Sequence, residues 1–250
     1  MRHLSIGRTI GLIGVCVLLV VGVGIAEQPV DRTLPEYTGV PMPEPAPWTG
    51  LEGGGGEIRG LVDDFNRPDG PLGPDWTVQL PSMSIVGEAA TGTNNALATH
   101  NSATGDSVEA DLAIDPAGGL QYAALTLNYG GGNTSIFVKV QNQGGGAEFD
   151  TFYCYIGNNG SGGSFGVDGS LVESFSSAHM AVSVDGSRDV TINLTNIDGG
   201  AVTDQQYICT NAPAAEGPGV GIGVYGVNLV RIDNFGAEVV PVELMSLSVE

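Results

Sequence analysis

Short runs of alternating apolar and polar residues dominate the chain from about residue 61 onward. In the run RDVTINLTNI, the apolar residues Val190, Ile192 and Leu194 alternate with polar ones. The runs SVEADLAID and HMAVSVDG alternate in the same way. Because successive side chains of a strand point to opposite faces, this period predicts strands with one face buried.

Turn signals separate these runs at intervals of about ten residues, a spacing typical of all-β sandwiches. Asp69-Gly70, Gly118-Gly119 and Asp185-Gly186 are three of them. No stretch beyond the N-terminal segment keeps a helical period. About 180 residues suffice for one core between two sheets. We therefore expect one all-β domain over residues 61–240, followed by a short tail over residues 241–250.

The N-terminal segment predicts export. Arg2 and Arg8 precede an uncharged apolar run that ends in small residues at Ala26, which is the pattern of a cleaved signal peptide over residues 1–26. An uncleaved anchor is the alternative, although the run is short for a full membrane span. Residues 27–60 are rich in proline and glycine and predict a flexible leader. We expect a protein secreted to the periplasm, the cell surface or beyond, with no stable membrane insertion after cleavage.

The charge of the mature chain excludes one class of partner. Loss of Arg2 and Arg8 leaves six basic residues against 28 acidic ones, a formal charge of −22. Nucleic-acid binding depends on a basic surface, so we expect no nucleic-acid partner.

Two cysteines, Cys154 and Cys209, remain after cleavage. In an oxidising compartment such a pair predicts one disulfide, worth about 4 kcal/mol in the chain-entropy model. A metal pair is the alternative, but His100 and His179 supply no ligand spacing that would complete a zinc site.

The stretch from Asp63 to Trp76, DDFNRPDGPLGPDW, resembles the first strand and turn of secreted bacterial jelly rolls of the concanavalin A-like lectin/glucanase type, close to the laminin-G-like group. The segment from Gly219 to Val239, GVGIGVYGVNLVRIDNFGAEV, is similar to their closing strands. The resemblance implies a two-sheet antiparallel jelly-roll sandwich with the last strand beside the first. It implies no single activity, because this fold carries lectins, hydrolases, lyases and structural modules.

The opening stretch has two interpretations. The resemblance implies a structural Ca²⁺ where the first and last strands meet, with Asp63 or Asp64 and Asp233 as oxygen ligands. The alternative is architectural, with Phe65 and Trp76 as buried anchors. In that case Arg67 pairs with a neighbouring acid.

A run of acids from Glu109 through Asp111 to Asp115 is similar to the catalytic strand of laminarinase-like endoglucanases. However, six residues of unbulged strand separate Glu109 from Asp115 by about 20 Å, whereas a retaining pair needs about 5 to 5.5 Å. We therefore favour a solvated outer strand face and no catalytic activity. A divergent polysaccharide hydrolase or lyase that uses Glu109 and Asp111 is the alternative.

Tyr153 and Tyr155 are the candidate ligand-binding residues. If Cys154 points into the core, alternation turns both tyrosines outward, where paired rings could stack on sugars. Tyrosines that are merely core or ordinary strand residues are the alternative. We therefore expect a noncatalytic carbohydrate-binding or adhesive module whose partner is an extracellular polysaccharide or glycan. A structural surface or matrix protein without glycan specificity is the main alternative.

Overall fold

A computed structural model describes residues 59–114, 119–131, 135–157, 163–166, 168–214, 216–227 and 230–239. Contacts divide the chain into two units, Met1–Tyr37 and Thr38–Glu250, and every described residue belongs to the second. The expected signal peptide, the leader up to residue 58, the tail and Asp115 lie outside the described residues.

The described residues form antiparallel strands and one short 3-10 turn at Ile197–Gly200. No helix in this described part is long and apolar enough to span a membrane. The strands are β1 (Arg59–Asp63), β2 (Trp76–Leu80), β3 (Met83–Ile85), β4 (Ala90–Ile114), β5 (Gln121–Tyr129), β6 (Ile136–Asn142), β7 (Phe149–Ile156), β8 (Gly169–Phe175), β9 (Ser177–Val184), β10 (Val190–Thr195), β11 (Gln205–Cys209), β12 (Gly219–Val227) and β13 (Val230–Val239).

The long strand β4 belongs to two sheets. Its first half pairs with β2 and β12, which gives a front sheet in the order β2-β4-β12-β5-β6-β7-β8. Its second half pairs with β9 and β13, which gives a back sheet in the order β11-β10-β9-β4-β13-β1. The short strand β3 pairs with the start of β4. The first and last strands are neighbours, as expected, and Asp63 lies opposite Phe235.

The inward faces of both sheets form one apolar core. Val190, Ile192 and Leu194 are fully buried there, so the alternation of this run identified its core side. The core-facing residues of β6 and β12 are buried against the same cluster. The expected all-β, two-sheet antiparallel sandwich is confirmed.

The opening stretch is architectural in this structure. Phe65 and Trp76 are buried and their ring centroids lie 5.6 Å apart. The Asp63 carboxylate accepts hydrogen bonds from the Phe65 amide at 2.8 Å, from both Arg67 terminal nitrogens at 2.6 and 2.9 Å, and from Trp76 Nε1 at 2.7 Å. Asp63 therefore ties the first strand to the turn and to the core, and the expected pairing of Arg67 with an adjacent acid is confirmed.

A disulfide joins Cys154 of β7 to Cys209 of β11, with Cα atoms 6.4 Å apart. It crosses between the front and back sheets and closes a loop of 55 residues. The predicted pairing is confirmed, and it clamps together the two sheets beside the strand that carries Tyr153 and Tyr155.

Candidate functional site

Strand β7 turns its two tyrosines away from the core. Phe152 and Cys154 are buried in the core, whereas Tyr153 and Tyr155 are partly exposed on the opposite face. Their rings are stacked, with centroids 5.4 Å apart and an interplanar angle of 10°. The structure thus brings the two sequence-predicted residues together as a pair of parallel rings on the outer face of the front sheet.

Three further strands extend this surface. On β5 and β12, Tyr122 and Tyr225 are stacked at 5.7 Å, and Tyr122 meets the ring of Phe137 on β6 edge-on at 5.8 Å. Gly223 leaves room for the Phe137 ring, because a Cβ there would come within 2.9 Å of it. Tyr122 is itself buried beneath its neighbours, at 4% exposure. We call the cluster of Tyr122, Lys139, Tyr153, Tyr155 and Tyr225 the tyrosine face.

Lys139 of β6, the single lysine of the chain, lies at the centre of the tyrosine face. Its Nζ atom is 4.7 Å from the centroid of the Tyr122 ring and 4.8 Å from those of Tyr153 and Tyr155. Contacts of this length between an ammonium and aromatic rings are attractive, and more so when the cation is partly desolvated. Burial lowers the pKa of Lys139 to about 8, against a smaller opposing effect of Asp168.

Side-chain amides border the rings. Lys139 Nζ donates to Gln141 Oε1 at 2.6 Å, and Gln141 in turn hydrogen-bonds to Gln143. The Tyr122 hydroxyl donates to Asn95 at 3.2 Å. Flat aromatic surface beside donors and acceptors is the combination that sugar rings require, since pyranoses have apolar C–H faces and polar edges.

A second polar cluster lies on the outer face of the back sheet. His179 Nδ1 is 2.8 Å from Asp111 Oδ1, and His179 Nε2 is 3.7 Å from Glu109 Oε2. Asn234 donates to the other oxygen of Asp111 at 2.8 Å. Glu109 is only 5% exposed, so the expectation that it lies on a solvated strand face is wrong. β4 pairs there with β9 and β13, and the Glu109 side chain lies against His179 of β9 and against Gly236 of β13.

Two groups of the back sheet, His179 and Asp233, have shifted pKa values for different reasons. Burial by itself would lower the pKa of His179, but its bonds to Asp111 and Glu109 outweigh burial and raise the pKa to about 9. Burial raises the pKa of Asp233 to about 7, and the nearby charges of Asp111, Asp64 and Asp63 add to the increase. A histidinium held between two carboxylates accounts for this arrangement as a structural network.

The predicted calcium ligands are not arranged as a cation site. The oxygens of Asp63 are engaged by four protein donors, and Asp64 accepts from the amide of Asn66. Among the described residues, no group of three or more acidic, histidine or cysteine side chains is placed to hold a metal ion. Calcium binding therefore stays a prediction of the resemblance, and the residues present do not fit it.

Comparison with known proteins assigns no family. No family model matches the chain, and no curated protein matches it. Solved structures that resemble it include the carbohydrate-binding module CBM66 from Bacillus subtilis, at 14% identity and a TM-score of 0.46, with 68% of this chain and 100% of that one covered. Lectin II from Ulex europaeus resembles it at 12% identity and a TM-score of 0.41, covering 67% of this chain and 94% of that one. The narrower laminin-G-like identity is not confirmed.

Sequence reasoning found two of the five residues of the tyrosine face. It missed Tyr122, Lys139 and Tyr225, although each alternates with core residues of its strand. Their alternation with core residues along each strand is by itself enough to place each of them on an outer face. Only the pairing of β12 with β5, β5 with β6 and β6 with β7 brings them together.

Proposed function

We propose that the chain is a secreted, noncatalytic carbohydrate-binding module and that the tyrosine face is its binding surface. The observation that carries the proposal is the stacked pair Tyr153 and Tyr155, which is partly exposed beside Lys139 and the amide of Gln141. Two parallel rings extend the aromatic surface beyond that of a single side chain. An extended polysaccharide or a surface glycan is therefore a better match than a small compact ligand.

The rigidity of the surface supports this proposal. Each ring is attached to a strand that has neighbours on both sides, and the disulfide at Cys154 anchors β7 to the back sheet. Rings that are already held in place lose little conformational entropy when a ligand stacks on them. A rigid aromatic surface of this kind is therefore preorganised for binding.

The test is binding of the mature protein to a panel of immobilised polysaccharides and glycans. The variants Tyr153→Ala and Tyr155→Ala remove one ring each, and we expect each to weaken binding by about five- to 150-fold, if a ring stacked on a sugar contributes as much as the roughly 1 to 3 kcal/mol of a ring stacked on a nucleic-acid base. Ile208→Ala is the matched control, because Ile208 is 53% exposed on β11 of the back sheet.

The outcomes separate this proposal from a structural role. A glycan that binds wild type and Ile208→Ala equally but binds the two tyrosine variants weakly supports it. If no member of the panel binds folded wild-type protein, the proposal is wrong, and a structural surface protein without glycan specificity becomes the better account.

A further inference from the structure

The front sheet is almost free of acidic residues in a protein that carries 28 of them. Strands β2, β5, β6 and β12 contain neither aspartate nor glutamate, and the first half of β4, residues 90–103, contains none either. In β7 the one acid is Asp150, whose carboxylate accepts hydrogen bonds from the amides of Gln143 and Gly144 at the strand end, and in the edge strand β8 the one acid is Glu173. By contrast, Glu109, Asp111 and Asp233 lie on the back sheet.

Lys139 is the one lysine or arginine of those acid-free strands, and among the described residues the acid that acts on its charge, Asp168, forms no close ion pair with it. Its Nζ atom contacts three aromatic rings and one amide oxygen. No carboxylate of the described residues lies within 4.0 Å of it. A partly buried cation without a carboxylate in contact costs stability, and the more distant Asp168 offsets only part of the effect of burial on Lys139. A negative charge that arrives with a ligand would supply the missing contact.

From these observations we propose that the tyrosine face selects acidic sugars, with Lys139 contacting a carboxylate or sulfate group of the ligand while Tyr153 and Tyr155 stack on its rings. The inference rests on the proposed function and specifies its ligand class. With a neutral sugar, the charge of Lys139 would have only the more distant Asp168 as a counter-charge. An anionic group of the ligand would instead form a charge-assisted hydrogen bond with the amine.

The negative charge of the whole protein does not oppose this assignment at close range. Solvent-exposed charges more than about 8 Å apart are largely screened at physiological ionic strength, and Asp168 is the acid that acts on the charge of Lys139. The attraction at Lys139 is short-range and only partly screened because the amine is desolvated by its rings. At low salt, long-range repulsion between the acidic protein and an acidic sugar slows their association. Moderate salt screens this repulsion, so it should not weaken binding as it weakens the binding of an anion to a basic protein.

The test compares acidic oligosaccharides with neutral counterparts in isothermal titration calorimetry. The pairs are oligogalacturonide with its methyl ester, oligomannuronate with mannan oligomers, and sulfated with desulfated galactan oligomers. We expect wild type to prefer an acidic member about ten- to hundredfold, the range of a hydrogen bond to a charged group. Lys139→Met removes the charge but keeps an unbranched apolar chain among the rings, and its affinity ratio between acidic and neutral members should fall to about one.

Lys139→Arg and a pH series provide independent controls. The arginine variant keeps its charge up to pH 9.5 and should keep the preference, whereas the wild-type preference should fall as the pH rises above about 8. The groups that face the amine are Tyr122 from β5, Gln141 from β6, Tyr153 and Tyr155 from β7, and Asp168. Burial raises the pKa of Tyr122 and of Tyr155, so neither phenol loses its proton in this range.

Two failures can be told apart. If no acidic member binds wild type more tightly than its neutral counterpart, or if Lys139→Met keeps the full preference, the acidic-sugar assignment is wrong while the proposed function stands. If none of the acidic or neutral ligands binds at all, the proposed function fails and the assignment fails with it.

Discussion

Replacing Asp63 by asparagine tests the architectural interpretation of the opening stretch. The Oδ2 atom of Asp63 accepts from Trp76 Nε1 at 2.7 Å and from Arg67 Nη2 at 2.9 Å. In Asp63→Asn an NH₂ group takes the place of one carboxylate oxygen, so donors face donors. The indole N–H of Trp76, whose side chain is buried, then loses its acceptor.

The magnitude follows from the bonds that are lost. An unsatisfied buried N–H costs about 1 to 3 kcal/mol, and loss of the ion pair with Arg67 adds about 0.5 kcal/mol after allowance for the 34% exposure of the arginine side chain. We therefore expect the free energy of unfolding to fall by about 1.5 to 3.5 kcal/mol. For a domain of this size that is a decrease in Tm of about 3 to 14 °C.

The assay is urea unfolding followed by tryptophan fluorescence, together with thermal melts. Asp64→Asn is the matched control, because Asp64 is exposed and accepts only the Asn66 amide; we expect it to cost about 0.5 kcal/mol or less. A loss below about 1 kcal/mol for Asp63→Asn would refute the reasoning. So would a Ca²⁺-induced rise in Tm that Asp63→Asn abolishes, since Asp63 would then be a calcium ligand.

Three further predictions concern other parts of the protein. The double variant Cys154→Ser/Cys209→Ser should lose about 4 kcal/mol of unfolding free energy in urea titrations. A loss below about 1 kcal/mol would contradict the claim that the disulfide stabilises the packing of the two sheets. The pKa of His179 is raised to about 9, so its stabilising contribution is full below about pH 6.5 and is lost as the pH rises through 9. The Tm difference between wild type and His179→Gln should shrink accordingly, and a constant difference would count against the ion pairs. Lys139→Met should not lower Tm, because relief of the cost of burying the charge offsets the loss of its ring contacts and of its hydrogen bond to Gln141; a clear decrease would mean that the lysine is structural.

The sequence predicted the parts of the fold that depend on local alternation. Val190, Ile192 and Leu194 alternate with polar residues, and the burial of their face follows from the strand period alone. The pairing of the first and last strands came from the resemblance at the two ends. The division of β4 between two sheets could not be predicted from the alternation of its residues, because that alternation does not indicate which strands will pair with it.

The candidate site was only partly predictable for the same reason. Tyr153 and Tyr155 are two residues apart on one strand, so the two-residue period of a strand places them on one face. Lys139 and Tyr122 join them through strand register, which a single sequence does not specify when no turn fixes it. Glu109 was misplaced because an acid on an outward position is normally solvated, whereas here His179 from a neighbouring strand covers it.

The most direct test of the tyrosine face is NMR of protein with isotope-labelled tyrosine rings, titrated with the tightest-binding oligosaccharide. The account predicts that the ring signals of Tyr153 and Tyr155 shift most and that those of Tyr122 shift with them. Tyr207, which packs on Phe152 at 4.2 Å on the other side of β7, serves as the internal reference and should not shift. Shifts at Tyr207 without shifts at Tyr153 and Tyr155 would place the ligand elsewhere and contradict the account.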